Sequence, residues 1–324
     1  MKGLTDIPGV RVGHASDFDA LTGCTVILCD GGAVAGVDIR GSATGTEEMD
    51  VMSPGHVADR VHAVVFAGGS AFGLEAASGV RRYLEKKGVG FDTGAAKVPI
   101  VPCAILYDLG IGKAGVRPTR EMGEAAAAAA TSDAVKEGAV GAGTGATVGK
   151  LLGMRQAMKS GVGSATVALE GALAGVLVSA LAAVNAVGDI RDPQTGTLIA
   201  GARRSAESLE LADAVAQMKR GLRGGFRREN TTLAVVATNA RLNKVQATKL
   251  AQMASLGMAR TIYPVNTMSD GDLVIALSLG DKAANVDALG VAAAEALAQA
   301  IVRAVRLAPS LGGLPGLGTI AGRR

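Results

Sequence analysis

Two short segments of this sequence hold residue types that can do acyl chemistry. In "RRENTTLAVVATNARL" (227–242), Asn230, Thr231 and Thr232 open a stretch in which Leu233, Val235 and Ala237 alternate with Ala234, Val236 and Thr238. That pattern predicts a buried β-strand with the threonines at its mouth. In "NTMSDGDLVIALS" (266–278), Asp270 and Asp272 stand two residues apart at the entrance to a second apolar run. Each segment also has an ordinary structural reading, since Thr suits strand starts and Asn, Asp and Gly suit turns. Together they offer more. A hydroxyl beside two carboxylates is a nucleophile with one group to orient it and another to fix the first.

Two glycine-rich segments are candidate binding loops. "FAGGSAFG" (66–73) puts Gly68 and Gly69 between an apolar run and a helical one, with Ser70 as the expected N-cap. Free N–H groups and the helix dipole would make an anion cradle there, although the dinucleotide spacing is missing. "GAVGAGTGATVGK" (138–150) contains Gly143 and Gly145 and ends in Gly149 and Lys150, with no Ser or Thr after the lysine. It therefore fails the phosphate-loop pattern. Backbone amides in either loop could serve an acyl oxygen as well as a phosphate, and a close-packed turn is the competing reading of both.

The elements that must position these residues alternate along the chain. Strand-like runs lie at 24–29, 62–69, 100–107, 164–169, 175–184, 232–238 and 272–278. Helical runs lie at Ala71–Lys87, Arg120–Ser132, Ala206–Met218, Lys244–Gly257 and Val286–Val305. Strands and long helices mixed without a strict βαβ rhythm predict a layered α/β or α+β sandwich. No repeat and no linker divides the chain, so 1–324 reads as one domain. The most polar segment, Lys219–Asn230, is rich in Arg and Gly and reads as exposed and open to cleavage.

Composition excludes several classes. Aromatics are 2% with no Trp, so the core must be built from aliphatic side chains, Ala and Gly. The net charge of +4 is spread out, with no basic run longer than two residues and no aromatic platform for bases, so no nucleic-acid partner is expected. Cys24, Cys29 and Cys103 share no metal-ligand spacing with His14, His56 and His62; neither a metal nor a cofactor is expected. The N-terminus has no apolar signal region, and a reduced, cytoplasmic setting fits. Gly171–Gly188 approaches membrane-span length but carries Ser179 and Asn185; it reads as buried strand, and no membrane partner is expected.

Seven segments in order, "GVRVGH", "FAGGSAFGLEAA", "VPIVPCAILYDL", "GAGTGATVGK", "VNAVGD", "ENTTLAVVATNA" and "TMSDGD", carry a resemblance across essentially the whole chain. The sequence resembles the DmpA-type family of aminopeptidases and amidases, which includes β-peptidyl aminopeptidases and nylon-oligomer hydrolases. The threonine and the Asp-Gly-Asp turn look closest to the nylon-hydrolase branch. The resemblance implies a four-layer αββα sandwich similar to N-terminal-nucleophile hydrolases and to ornithine acetyltransferase. It also implies a precursor that cuts itself between Asn230 and Thr231, leaving an α chain of 1–230 and a β chain of 231–324 with Thr231 as nucleophile. Lys150 matches the family lysine expected to keep the new α-amine basic. Asn185 matches the oxyanion donor, and Tyr107 a tyrosine that bonds substrate or oxyanion. Homotetramers or larger assemblies and small peptide or oligoamide substrates are implied as well.

One departure concerns specificity. In aminopeptidase members resembling this chain, an acidic residue two places before that tyrosine receives the substrate ammonium; here the position is Ile105. Strict recognition of a free amino terminus is therefore not expected, with Glu137 and Asp108 as the alternative carboxylates. A self-cleaving acyltransferase would use the same acyl-enzyme with an amine as acceptor. A non-catalytic metabolite-binding protein using the two Gly-rich loops would stay one chain on a denaturing gel.

Overall fold

The computed structural model describes residues 1–222 and 230–321. One strand organises the molecule. Thr22–Ile39 pairs through its first half with Val10–Asp17 and Val61–Ala67, then shifts register between Leu28 and Ala33. Gly32, at φ +70, supplies the left-handed backbone that this irregularity requires. The second half, Val34 to Ile39, pairs antiparallel with Leu273–Lys282. The strand thus belongs to both sheets, and the chain is wound around it.

The second sheet runs Val162–Ala168, Leu177–Asn185, Thr231–Ala240, Leu273–Lys282 and then the shared strand. Thr231–Ala240 lies in its middle, antiparallel to one neighbour and parallel to the other, and every residue in it is buried. That double burial explains a near-continuous apolar run instead of a half-polar alternation.

Three core clusters define the layers. Ile27, Val64 and Phe66 of the first sheet pack with Leu181, Leu233, Val235 and Ile275 of the second, filling the space between the sheets. The other face of the first sheet meets the helices Glu75–Lys86 and Arg120–Ala128 through Val26, Val65, Ala76, Val80 and Ala126. The other face of the second sheet meets Lys244–Thr261 and Val286–Arg306 through Ala234, Val236, Leu250 and Leu297. The order is helices, sheet, sheet, helices: the αββα sandwich. Small residues make it possible with few aromatics. A Cβ on Gly36 would strike the backbone of Ala247 and Thr248, and one on Gly163 the backbone of Ala300 and Ala304. Helices therefore lie close against the sheet, which suits a core of Ala and Val.

Several sequence expectations are corrected. The 206–218 run is helical only over Ala214–Lys219. Before it, the Arg203 guanidinium donates to the carbonyls of Ala206 and Ser208, and Asp213 caps the short helix through Ala216 N–H. Those bonds hold 206–212 in an irregular loop. The 100–107 run is strand only over Cys103–Ile105, and Val10–Asp17, with polar Arg11, His14 and Ser16, is a strand that the pattern concealed. Gly171–Gly188 is a turn followed by the strand Leu177–Asn185. Among the described residues the one helix long and apolar enough to cross a membrane is Val286–Arg306, and it is a core helix with 72% of its apolar window buried. Most of the polar 219–230 segment, residues 223–229, lies outside the described residues; Asn230 itself is buried, not exposed.

Candidate functional site

Sheet register assembles the candidate site. Asn185, the last residue of its strand, pairs directly with Thr231, the first of the next. On the other side the parallel pairing of Leu233 with Leu273 brings the Asp270–Asp272 turn alongside Asn230 and Thr231. Asn230, Thr231, Asp270, Asp272, Asn185 and Lys150 are all at most 3% exposed. Residues widely separated in sequence, from Lys150 to Asp272, thus meet in one buried place.

The Thr231 hydroxyl donates to the carbonyl oxygen of Asn230 at 2.6 Å, and Gly271 N–H donates to the same oxygen at 2.7 Å. Neither aspartate holds the hydroxyl directly, as the sequence reading had one of them doing. Asp272 Oδ1 accepts from Thr232 N–H at 2.6 Å and Oδ2 from Asn266 N–H at 2.9 Å. Asp270 Oδ2 accepts from Thr267 N–H and from the Thr267 hydroxyl. Asp272 therefore ties the residue after Thr231 to its own turn, and Asp270 braces that turn from within.

Lys150 sits below this wall. Its Nζ donates to Asn185 Oδ1 at 2.8 Å, Asn185 O at 2.7 Å and Thr147 O at 3.0 Å. Asn185 Oδ1 also accepts from Thr147 N–H, and Asn185 Nδ2 donates to Tyr107 O at 2.9 Å. An amide nitrogen carries two hydrogens, so one donor of Asn185 is committed to Tyr107 and its direction is set. Thr147, within "GATVGK", is a site neighbour that sequence reasoning passed over.

Burial and like charge set the electrostatics. Burial pushes the Asp270 carboxyl up, against the Thr267 bonds and the Lys150 charge that favour its ionised form. Burial and then the neighbouring Asp270 charge push Asp272 up to about 7. The two carboxyls act as one titrating pair that retains a proton near neutrality. A carboxyl raised in the folded state contributes stability that is full below its unfolded value, near pH 4, and lost as pH climbs to about 7. Denaturant unfolding of Asp272→Asn beside the parent chain should therefore show the parent losing ground by on the order of a few kcal/mol between pH 4 and pH 8. A difference that stays flat across that range would show that Asp272 titrates normally.

The glycine loops are occupied by the protein itself. Gly69 N–H donates to Asp108 Oδ1 at 2.7 Å, and a Cβ on Gly68 would collide with Asp108 Oδ2 and Thr22 Oγ1. Asp108 fills the expected anion cradle. Ser70 is not an N-cap: it lies inside the short helical turn at φ +54, its N–H donates to Leu106 O, and Gly69 stands at the cap. Gly143 and Gly145 pack against Val162 N and Leu21 O, close-packed turns in both cases. Lys159, fully buried, ties that loop down through Gly143 O, Ala146 O and Ser160 O, and burial lowers its ammonium to about 7. Ile105 is 5% exposed in the outer core, facing Gly45. Of the alternative carboxylates, Asp108 is consumed by Gly69 and Thr22, while Glu137 pairs with Arg303 and accepts from Ser164 N–H.

Comparison with known proteins gives the family and the fold. The model of peptidase family S58 matches residues 2–317. An uncharacterized aminopeptidase of Mycobacterium tuberculosis (strain H37Rv) is 40% identical over 97% of this chain and 96% of its own length. A 6-aminohexanoate-oligomer endohydrolase of Kocuria sp. is 31% identical over 93% of this chain and 85% of its own. Among solved structures, a Burkholderia sp. beta-aminopeptidase superposes with a TM-score of 0.72 at 26% identity, covering 98% of this chain and 91% of that one. The L-aminopeptidase D-Ala-esterase/amidase of Ochrobactrum anthropi, a variant of the Ntn hydrolase fold, gives 0.74 at 19% identity, covering 97% and 88%, and supports the fold. With a buried hydroxyl set against a peptide carbonyl on that fold, the chain belongs to peptidase family S58 and is an amide hydrolase.

Proposed function

We propose that the protein is an autoprocessed hydrolase of small peptides or oligoamides whose nucleophile is the N-terminal threonine released when the chain cuts itself before Thr231. The observation that carries this reading is the Thr231 hydroxyl lying on the Asn230 carbonyl, with Asn185 in register across the strand. Once the bond is cut, the Thr231 α-amine, with an ordinary pKa of about 7.7–8.0, is a base adjacent to its own hydroxyl. The buried Lys150 charge favours the neutral form of that amine. Asn185, anchored by Tyr107 and Lys150, supplies the donor for the substrate oxyanion. The Thr231 strand is central to its sheet, so the 1–230 and 231–324 chains stay together. Three free, buried cysteines fit a reducing, cytoplasmic setting, and exposed Val57, Met268 and Val291 fit assembly of αβ units into homotetramers or larger.

The substrate class follows from the relatives' peptide and 6-aminohexanoate-oligomer substrates together with Ile105. A buried ammonium without a partner costs several kcal/mol, and neither Asp108 nor Glu137 is uncommitted. The site should therefore accept amides whose amino group is blocked. Acetylating the amino group of a short peptide or 6-aminohexanoate oligomer should lower kcat/KM by less than about tenfold, or about 1.4 kcal/mol. Inert acetylated substrates beside readily cleaved free amines would make the enzyme a strict aminopeptidase.

A further inference from the structure

We propose that the backbone N–H of Gly271 is the oxyanion donor of the self-cleavage step, an inference that rests on the processing reading above. Asn230 O accepts from Gly271 N–H at 2.7 Å and from the Thr231 hydroxyl at 2.6 Å. The carbonyl that must gain negative charge is thus already held by a donor, beside the atom that attacks it. Gly271 is rigidly placed. Asp270 O accepts from Ala43 N–H at 2.9 Å, and Asp272 O accepts from both Arg40 and Gly41 N–H at 3.0 Å. The flanking carboxylates are bonded to Thr267, Thr232 and Asn266. Asn230 and Thr231 are 1% and 3% exposed, so the donor acts in a dry site where it is worth far more than in water.

The residue type follows from the same geometry. A Cβ on residue 271 would lie 2.8 Å from Thr231 Oγ and 2.8 Å from Ala43 O. Only glycine brings its N–H to the scissile oxygen while leaving room for the nucleophile. In the step itself the Thr231 Oγ to Asn230 carbon bond forms, and the hydroxyl proton passes to the departing Thr231 nitrogen as the peptide bond breaks. Water then hydrolyses the resulting ester, giving an Asn230 carboxyl and a Thr231 with free hydroxyl and amine. Negative charge appears on Asn230 O in the tetrahedral species of both stages, against Gly271 each time.

The decisive substitution removes the donor without adding an atom. A full-length chain carrying an ester in place of the 270–271 amide, with glycolate at position 271, should cut before Thr231 slower by on the order of 10²–10³-fold. Hydroxylamine, which cleaves an accumulated ester, should not restore it. Gly271→Ala, which keeps the N–H but crowds the hydroxyl, should cut at least tenfold slower and also resist hydroxylamine, and it stands in if the ester chain does not refold. Cutting within threefold of wild type by either chain, or full rescue by hydroxylamine, overturns the role of Gly271. A wild-type chain that never cuts before Thr231 instead removes the processing reading on which it rests.

Discussion

Thr231→Ala should leave a single chain of residues 1–324 and no measurable amide hydrolysis, whereas wild type should give two chains with Thr231 at the new N-terminus. The Thr231 hydroxyl lies 2.6 Å from the Asn230 carbonyl oxygen, with Asn185 paired to Thr231 across the strand. In the proposed function one oxygen performs both the internal acyl shift and the attack on substrate. Losing a nucleophile of this kind typically costs on the order of 10⁴–10⁶ in rate. The fold should survive, because Thr231 lies at the end of its strand and the strand's packing comes from Leu233, Ala234, Val235 and Val236. Thr231→Ser keeps the hydroxyl and should still cut. Intact mass and N-terminal sequencing check each variant. A cut that persists in Thr231→Ala, or a new N-terminus elsewhere, would assign the nucleophile to another residue.

Much of this site was legible because strands are local patterns. The Thr231 strand and the Asp-Gly-Asp turn stood out by alternation and turn chemistry, and both are where the pattern put them. Register was not legible. That Asn185 would face Thr231, and that Gly271 would face Asn230, depends on which strands pair, which single-strand periodicity does not encode. The glycine loops misled for a related reason. "FAGGSAFG" has the composition of an anion cradle, and Asp108, far along the chain, fills it. Ala206–Met218 reads as a helix by propensity, yet Arg203 holds its first half open through carbonyl bonds that no propensity scale contains. Ile105 belongs to a short strand, and its packing against Gly45 and the cluster under the helix layer depends on strand pairing that the local sequence does not encode.

Asp270→Asn and Asp272→Asn should each slow self-cleavage and turnover by on the order of 10²–10⁴, and the double variant should be little worse than the slower single one. The reason is that the two carboxyls do one job. Asp272 fixes Thr232 N–H on the nucleophile's strand and Asn266 N–H on its own turn, joining the two segments. Asp270 folds that turn through Thr267, which sets Gly271 against Asn230 O. Both feel the Lys150 charge, and the Asp270 charge adds to burial in raising the Asp272 carboxyl's hold on its proton. An asparagine at either place replaces a carboxylate oxygen with a donor, so one of the bonds that hold the turn against the Thr231 strand is lost. Once the turn is loosened, a second substitution has little left to remove. Additive losses from the two singles would mean that the carboxylates act on separate steps. Wild-type rates in both would reduce the turn to a scaffold for Gly271.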